Sequence, residues 1–195
     1  MSSTTATLQA DAATSAAQNA HQILKPWSDP ARYPSRPLQA RDLQAVSALH
    51  DAVFGPGALA RAAYRVREGQ PDFTPFCRVL HDGDRLIAAV RYTAVTIGGQ
   101  GGALLLGPLM VDPDYGRQGH SRRLVSESLK VARESGVRLV LLVGDESYYS
   151  RFGFVPVTPS GRITMPAPVD PRRLLGSASS QDALAAYTGL VRGAN

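Results

Sequence analysis

Apolar residues first recur at helical spacing at Leu43, Val46, Leu49 and Val53, within LQARDLQAVSALHDAVF, where Asp42 stands near a capping position. The break GPG follows, and ALARAAYRVREG predicts a second helix that Gly69 stops. The period then changes. FCRVLHDGDRLIAAVRYTAVTIGG reads as two strand-like runs around Asp82-Gly83, a favoured tight-turn pair, and predicts an antiparallel hairpin. GGQGG turns the chain into ALLLGPLMV, apolar at consecutive positions and so a strand buried on both faces. From Gly119 the pattern is helical again. Leu124, Val125, Leu129, Val131 and Ala132 fall on one side, Arg123, Glu127, Lys130 and Glu134 mostly on the other, and Gly136 supplies the stop. VRLVLLVG is another strand buried on both faces. Strand, tight loop, helix and strand imply a right-handed parallel crossover. With the antiparallel hairpin before it, the sheet is mixed.

Composition sets the boundaries. The chain has 195 residues, 44% hydrophobic and 19% charged, which suits one domain with a real core and some chain left over. The start is the exception: MSSTTATLQADAATSAAQNAHQ holds almost no large apolar residue, and the Pro-rich KPWSDPARYPSRP follows. Such a segment buries too little surface to offset the entropy of ordering it. Residues 1–34 are therefore expected as a mobile tail, 35–170 as the folded domain, and 171–195 as an extension packed on that domain or on a partner subunit. The tail lacks the basic start and apolar block of a secretory signal, and Asp11 with a first arginine at Arg32 argues against a mitochondrial presequence.

The single cysteine, Cys77, excludes an internal disulfide framework, reads as a small buried apolar residue, and fits a reducing cytoplasm, the expected location. No apolar run approaches the ~20 residues of a membrane span. The net charge of +5 favours an anionic partner without choosing among nucleic acid, lipid and a phosphorylated cofactor, since the basic residues are scattered. The chain has no interleaved aromatic and basic element of a nucleic-acid binder, so neither nucleic acid nor membrane is expected as a partner.

Two features carry candidate chemistry. Gly107-Pro108 interrupts the apolar strand, and proline cannot donate to a ladder; a bulge there would free backbone groups of Leu109, Met110 and Val111, unless the pair is an ordinary kink at the sheet rim. VDPDYGRQGHS then joins strand to helix. It is either a plain turn or a cradle for an anion, in which the helix-start N–H groups converge, Gly116 and Gly119 admit a close approach, and Arg117, Arg122 and Arg123 add positive charge.

LMVDPDYGRQGHSRRLV resembles the cofactor motif of the GNAT superfamily of N-acetyltransferases: an apolar strand, Val-x-Pro, then [Gln/Arg]-x-x-Gly-x-[Gly/Ala] opening a helix. LVLLVGDESYYSRFGFVPV is similar to the family's next strand, short helix and Tyr-x-x-x-Gly-Phe ending, and VFGPGALARAAYRVREG with LLLGPLMVDP is similar to one bacterial branch of predicted acetyltransferases. The resemblance covers roughly residues 36–170. Three positions depart from it: Gly116 replaces Gln or Arg, His120 replaces an aliphatic residue, and Ser121 replaces Gly or Ala. His120 reads as a partly exposed helix-start residue, and the hydroxyl of Ser121 could bond a phosphate oxygen.

The resemblance implies an α/β fold with a central mixed, mostly antiparallel sheet, one splayed parallel pair at 103–111 and 137–143, and flanking helices. It implies acetyl-CoA as co-substrate, no metal, and direct transfer of the acetyl group to the amine of a small molecule or protein. The pantetheine chain would pair with Leu109, Met110 and Val111, the N–H of Leu109 or Met110 would polarise the thioester carbonyl, and the pyrophosphate would rest on N–H groups of Arg117, Gln118, Gly119, His120, Ser121 and Arg122. Tyr149 takes the place of the proton donor to the leaving thiolate, with Tyr148 as packing. Asp145 and Glu146 are the carboxylates placed to take the amine's proton, and Asp145 is equally placed to cap the helix that carries Tyr149. Arg61, Arg65 and Arg67 either select an acidic acceptor or are solvated helix charge. The C-terminal stretch either covers the acceptor cleft or joins a homodimer. The alternative on the same fold is a catalytically weak CoA-binding sensor or scaffold.

Overall fold

The computed structural model of the protein describes residues 29–55 and 62–194. Nine strands form the sheet system: β1 (Ser35–Pro37), β2 (Arg78–Asp82), β3 (Arg85–Ile97), β4 (Gln100–Val111), β5 (Leu139–Val143), β6 (Val155–Pro156), β7 (Ile163–Thr164), β8 (Leu174–Ala178) and β9 (Gly189–Gly193). Among the described residues five α-helices accompany them: α1 (Leu43–Phe54), α2 (Ala62–Arg65), α3 (His120–Glu134), α4 (Glu146–Tyr149) and α5 (Gln181–Ala185). The main order is β1-β2-β3-β4-β5-β8-β6, with β9 on the far half of β3 and on β7. Neighbours are antiparallel except at β4–β5 and at the short β7–β9 pair. This is the mixed, mostly antiparallel sheet that the sequence predicts.

The hairpin turns at Gly83-Asp84, with Asp82 opposite Arg85, because Gly83 supplies the positive φ of 56° that a tight turn requires. The two runs with no polar face behave as consecutive apolar residues demand. Leu104, Leu106, Val140 and Leu142 join a core with Val46 and Leu49 of α1 and Leu124, Val125 and Leu129 of α3. Leu105, Leu139 and Leu141 join a second core with Val66, Tyr187 and Val191.

Four expectations are corrected. The second helix, expected through residue 68, ends at Arg65, and Arg67 N–H and Gln70 N–H bond three residues back, to Tyr64 O and Arg67 O, in turns that reach Gly69. Residues 56–61 lie outside the described chain, Arg61 among them. The tail boundary at 34 falls late: residues 1–28 lie outside the description, but Tyr33 is buried, its carbonyl accepting from Arg123 Nη1 at 2.6 Å. The boundary at 170 divides a sheet, since β8 lies between β5 and β6 and β9 completes the edge of β3. Asp42 is not a side-chain cap of α1. Its carboxylate turns back to accept from Gln39 N–H at 2.8 Å and from both Nη atoms of Arg36 at 2.6 and 2.7 Å. No helix among the described residues is long and apolar enough to cross a membrane.

Candidate active site

The site begins with a mismatch of two strands. β4 and β5 pair only through Ala103, Leu104 and Leu105 against Leu139, Val140 and Leu141. Beyond that they part. The parting follows from the bulge: Leu109 opposes Val90 and Leu106 opposes Tyr92, so Gly107 and Pro108 together face the single Arg91.

Past the bulge, the direction of each N–H follows from one bond. Asp112 N–H donates to Ile87 O of β3 at 2.8 Å. Backbone groups alternate sides along a strand, so Met110 also turns its N–H to β3, while Leu109 and Val111 turn theirs to the gap beside β5. The Met110 side chain is core, and Leu109 lines the cavity. Of the two N–H groups expected to polarise a carbonyl, Leu109 is the one that faces the gap.

The joining loop is tied down away from its helix. Arg85 Nη2 donates to Asp112 and Asp114 at 2.7 and 2.8 Å, and Tyr115 O–H donates to Asp82 at 2.9 Å, which disposes of the loop's two acids. At Gly116 a Cβ would stand 3.2 Å from Pro113 O, a tight contact. Arg117 (φ 61°) and Gly119 (φ 80°) take left-handed conformations just before α3, whose first N–H groups have no partner within the helix. His120 is not the partly exposed residue expected. It is 1% exposed, its ring edge-on to Tyr33 at 4.9 Å, and burial beside Arg123 holds its pKa below the usual value. Its backbone stays at the helix start while its side chain is core.

The other wall rises from the end of β5. A Cβ on Gly144 would lie 2.5 Å from Cε2 of Tyr149, so only glycine lets that ring lean back over the strand. Tyr149 packs at 5.9 Å from Phe154 and 4.9 Å from Tyr148, and burial pushes its hydroxyl up to about 12, with Tyr148 and Asp145 adding to the shift. Tyr148, expected as packing alone, donates its hydroxyl to Ser121 Oγ at 2.7 Å, binding the start of α3 to the segment that carries Tyr149. Ser121 keeps its own O–H to donate.

Between these walls lies a cavity of about 900 Å³. Leu106, Gly107 and Leu109 line it from β4, Leu142 and Gly144 from β5, and Tyr148 and Tyr149 from α4. Its far side is built by Phe54, Tyr64 and Arg67 and by residues 167–170. Asp145 stands on the rim, exposed, paired with Arg173 at 3.4 Å, and its side chain makes no capping bond. Glu146, the first residue of α4, is exposed and is not among the lining residues, because the helix turns it to solvent. Arg67 is only partly exposed: its Nη2 donates to Gly107 O, its guanidinium sits 5.0 Å over the Tyr64 ring, and burial lowers its pKa to about 10. Tyr64 O–H meets His50 Nε2, and His50 Nδ1 lies 3.3 Å from Asp51. No group of three or more His, Cys, Asp or Glu placed to hold a metal occurs among the described residues.

A family model described as an acetyltransferase (GNAT) domain matches residues 34–157. The uncharacterized N-acetyltransferase YhbS of Escherichia coli K12 is 33% identical over 115 residues, which is 58% of this chain and 68% of that protein. A crystal structure of the Escherichia coli YhbS in complex with CoA superposes with a TM-score of 0.70 at 30% identity, covering 87% of this chain and 94% of that one. A GNAT acetyltransferase of Brucella melitensis in complex with acetyl-CoA shares the fold, with a TM-score of 0.55 at 23% identity over 75% of this chain and 96% of that one.

Proposed function

This chain belongs to the GNAT acetyltransferase family, and from that premise we propose that it moves an acetyl group from acetyl-CoA to an amine by direct attack within a ternary complex. The observation that carries the reading is that Leu109, whose N–H is turned to the gap beside β5, and Tyr149 line one cavity. The chemistry of the groups present fits the co-substrate: strand-edge amides for a pantetheine chain, and a glycine-opened helix start with Arg117 and Arg122 beside it for a pyrophosphate.

Acetyl-CoA, when bound, supplies the acetyl group as a thioester. Leu109 N–H donates to the carbonyl oxygen as that atom gains charge. Tyr149 delivers its proton to the sulfur as the carbon–sulfur bond breaks. At about 12 its pKa keeps it protonated through the neutral range, and the apolar walls at Leu106 and Leu142 disfavour a bare thiolate beside it. Asp145, held at the rim by Arg173, accepts the amine's proton through water. N–H groups of Arg117, Gln118, Gly119, His120, Ser121 and Arg122 hold the pyrophosphate.

Acetyl-CoA at about 100 times its Kd is expected to stabilise the protein by about 2.7 kcal/mol, a rise in Tm of about 5–10 °C. Differential scanning fluorimetry checks this, and no shift at millimolar acetyl-CoA overturns the proposal. A shift without thiol release across a broad amine panel assigns the chain instead to CoA sensing. Gly144→Ala, which drives a methyl group into the Tyr149 ring, is expected to lower single-turnover thiol release about 10- to 100-fold. Release at the wild-type rate would show that the ring's position is immaterial.

A further inference from the structure

We infer that the amine acetylated here carries a carboxylate of its own, and that Arg67 holds it. The inference rests on the acetyl-transfer reading above. Two carboxylates reach the cavity wall, and each already has an arginine: Asp145 with Arg173 at 3.4 Å and Asp170 with Arg172 at 3.0 Å. Arg67 faces no carboxylate within ion-pair distance among the described residues. Its Nη2 is spent on the bulge carbonyl of Gly107, and its Nε is buried without a hydrogen-bond partner. A partly buried guanidinium whose partners are one neutral acceptor and the face of the Tyr64 ring, with its Nε buried and unpartnered, is under-compensated. A carboxylate is the group that completes it, through charge-assisted N–H···O bonds.

The position agrees with that task. Gly107 O fixes the guanidinium beside β4, two residues from Leu109, a span of about 7 Å along a strand. An acceptor with its amine a few bonds from its carboxylate covers that distance. Arg65 stands on the same wall and adds to the surplus of positive charge. That surplus acts on the amine too. An ammonium in a positive field releases its proton more readily, so the attacking free amine is populated closer to neutral pH. A simple cationic amine is repelled by the same field, whereas the carboxylate of a zwitterion offsets it.

The test compares acceptors that differ only in carboxylate against carboxamide: glycine, phenylalanine and glutamate against glycinamide, phenylalaninamide and glutamic acid α-amide. Each pair is assayed by thiol release at equal free-amine concentration. Wild-type protein is expected to favour the carboxylate by about 10- to 100-fold in kcat/KM, through KM. Arg67→Gln brings the ratio close to one, and Arg67→Lys restores part of it. A ratio near one in the wild type, or one unchanged in Arg67→Gln, overturns the inference. The wild-type ratio stands without any variant, so a misfolded Arg67→Gln does not remove the test. An acetyl-CoA thermal shift with no carboxylate preference overturns this inference alone, and no shift overturns the acetyl-transfer reading together with it.

Discussion

Tyr149→Phe is expected to lower kcat about 100- to 1000-fold while the thermal shift given by acetyl-CoA persists. Phenylalanine keeps the ring against Phe154, Tyr148 and Gly144 and removes the proton alone. Stopped-flow thiol release separates the two readings of this residue. A variant within threefold of wild type would make Tyr149 a packing aromatic.

The pH profile gives the same answer from another side. An acid acts in its protonated form, which exists below its pKa. With that value raised to about 12 by burial, the wild-type rate should show no loss of an acid up to about pH 10. A descending limb centred near the ordinary tyrosine value of 10 would contradict the burial seen here.

The largest effect on stability is expected at Asp42, which is 5% exposed. The two bonds from Arg36 come first in lowering its carboxyl from 3.8 to about 2, with Gln39 N–H assisting. Removing the carboxylate strands a guanidinium and one N–H at the junction of β1 and α1. Asp42→Ala should cost about 2–3 kcal/mol, a fall in Tm of about 5–10 °C. The sign with pH follows from the direction of the shift. The folded-state pKa is depressed, so the contribution is complete above about pH 4 and is lost as pH falls toward 2. It is worth about 2 kcal/mol. Urea melts of both proteins should therefore approach one another as pH falls through about 2, and a constant gap between them at all pH values would refute the assignment.

Hairpin, crossover and joining loop were legible because each is written in a local period or a glycine pair. The bulge was legible too, since proline in an apolar strand has few other uses. What escaped depends on distant chain. Nothing near Tyr33 announces a core residue; its partners are His120 and Arg123. LLGSA carries no sign that it will lie between β5 and β6. Leu109 and Met110 are equivalent in the sequence, and only the register against Ile87 tells them apart. Arg67 looks like Arg65 until its reach to Gly107 is seen. Asp145 fits a helix cap by position, yet Arg173 claims its carboxylate.

The three registered pairs that join β4 to β5 also bear on stiffness. A sheet fastened at one end of two strands behaves as a pair of tongs: its arms spread or close without breaking a bond between β4 and β5, and what resists is the packing of the two cores and the Tyr148–Ser121 bond. A molecule offering amides to both arms would supply the missing rungs and act as a splint. The width of the site is then set in part by its own occupant, and the empty protein is the softer of the two states.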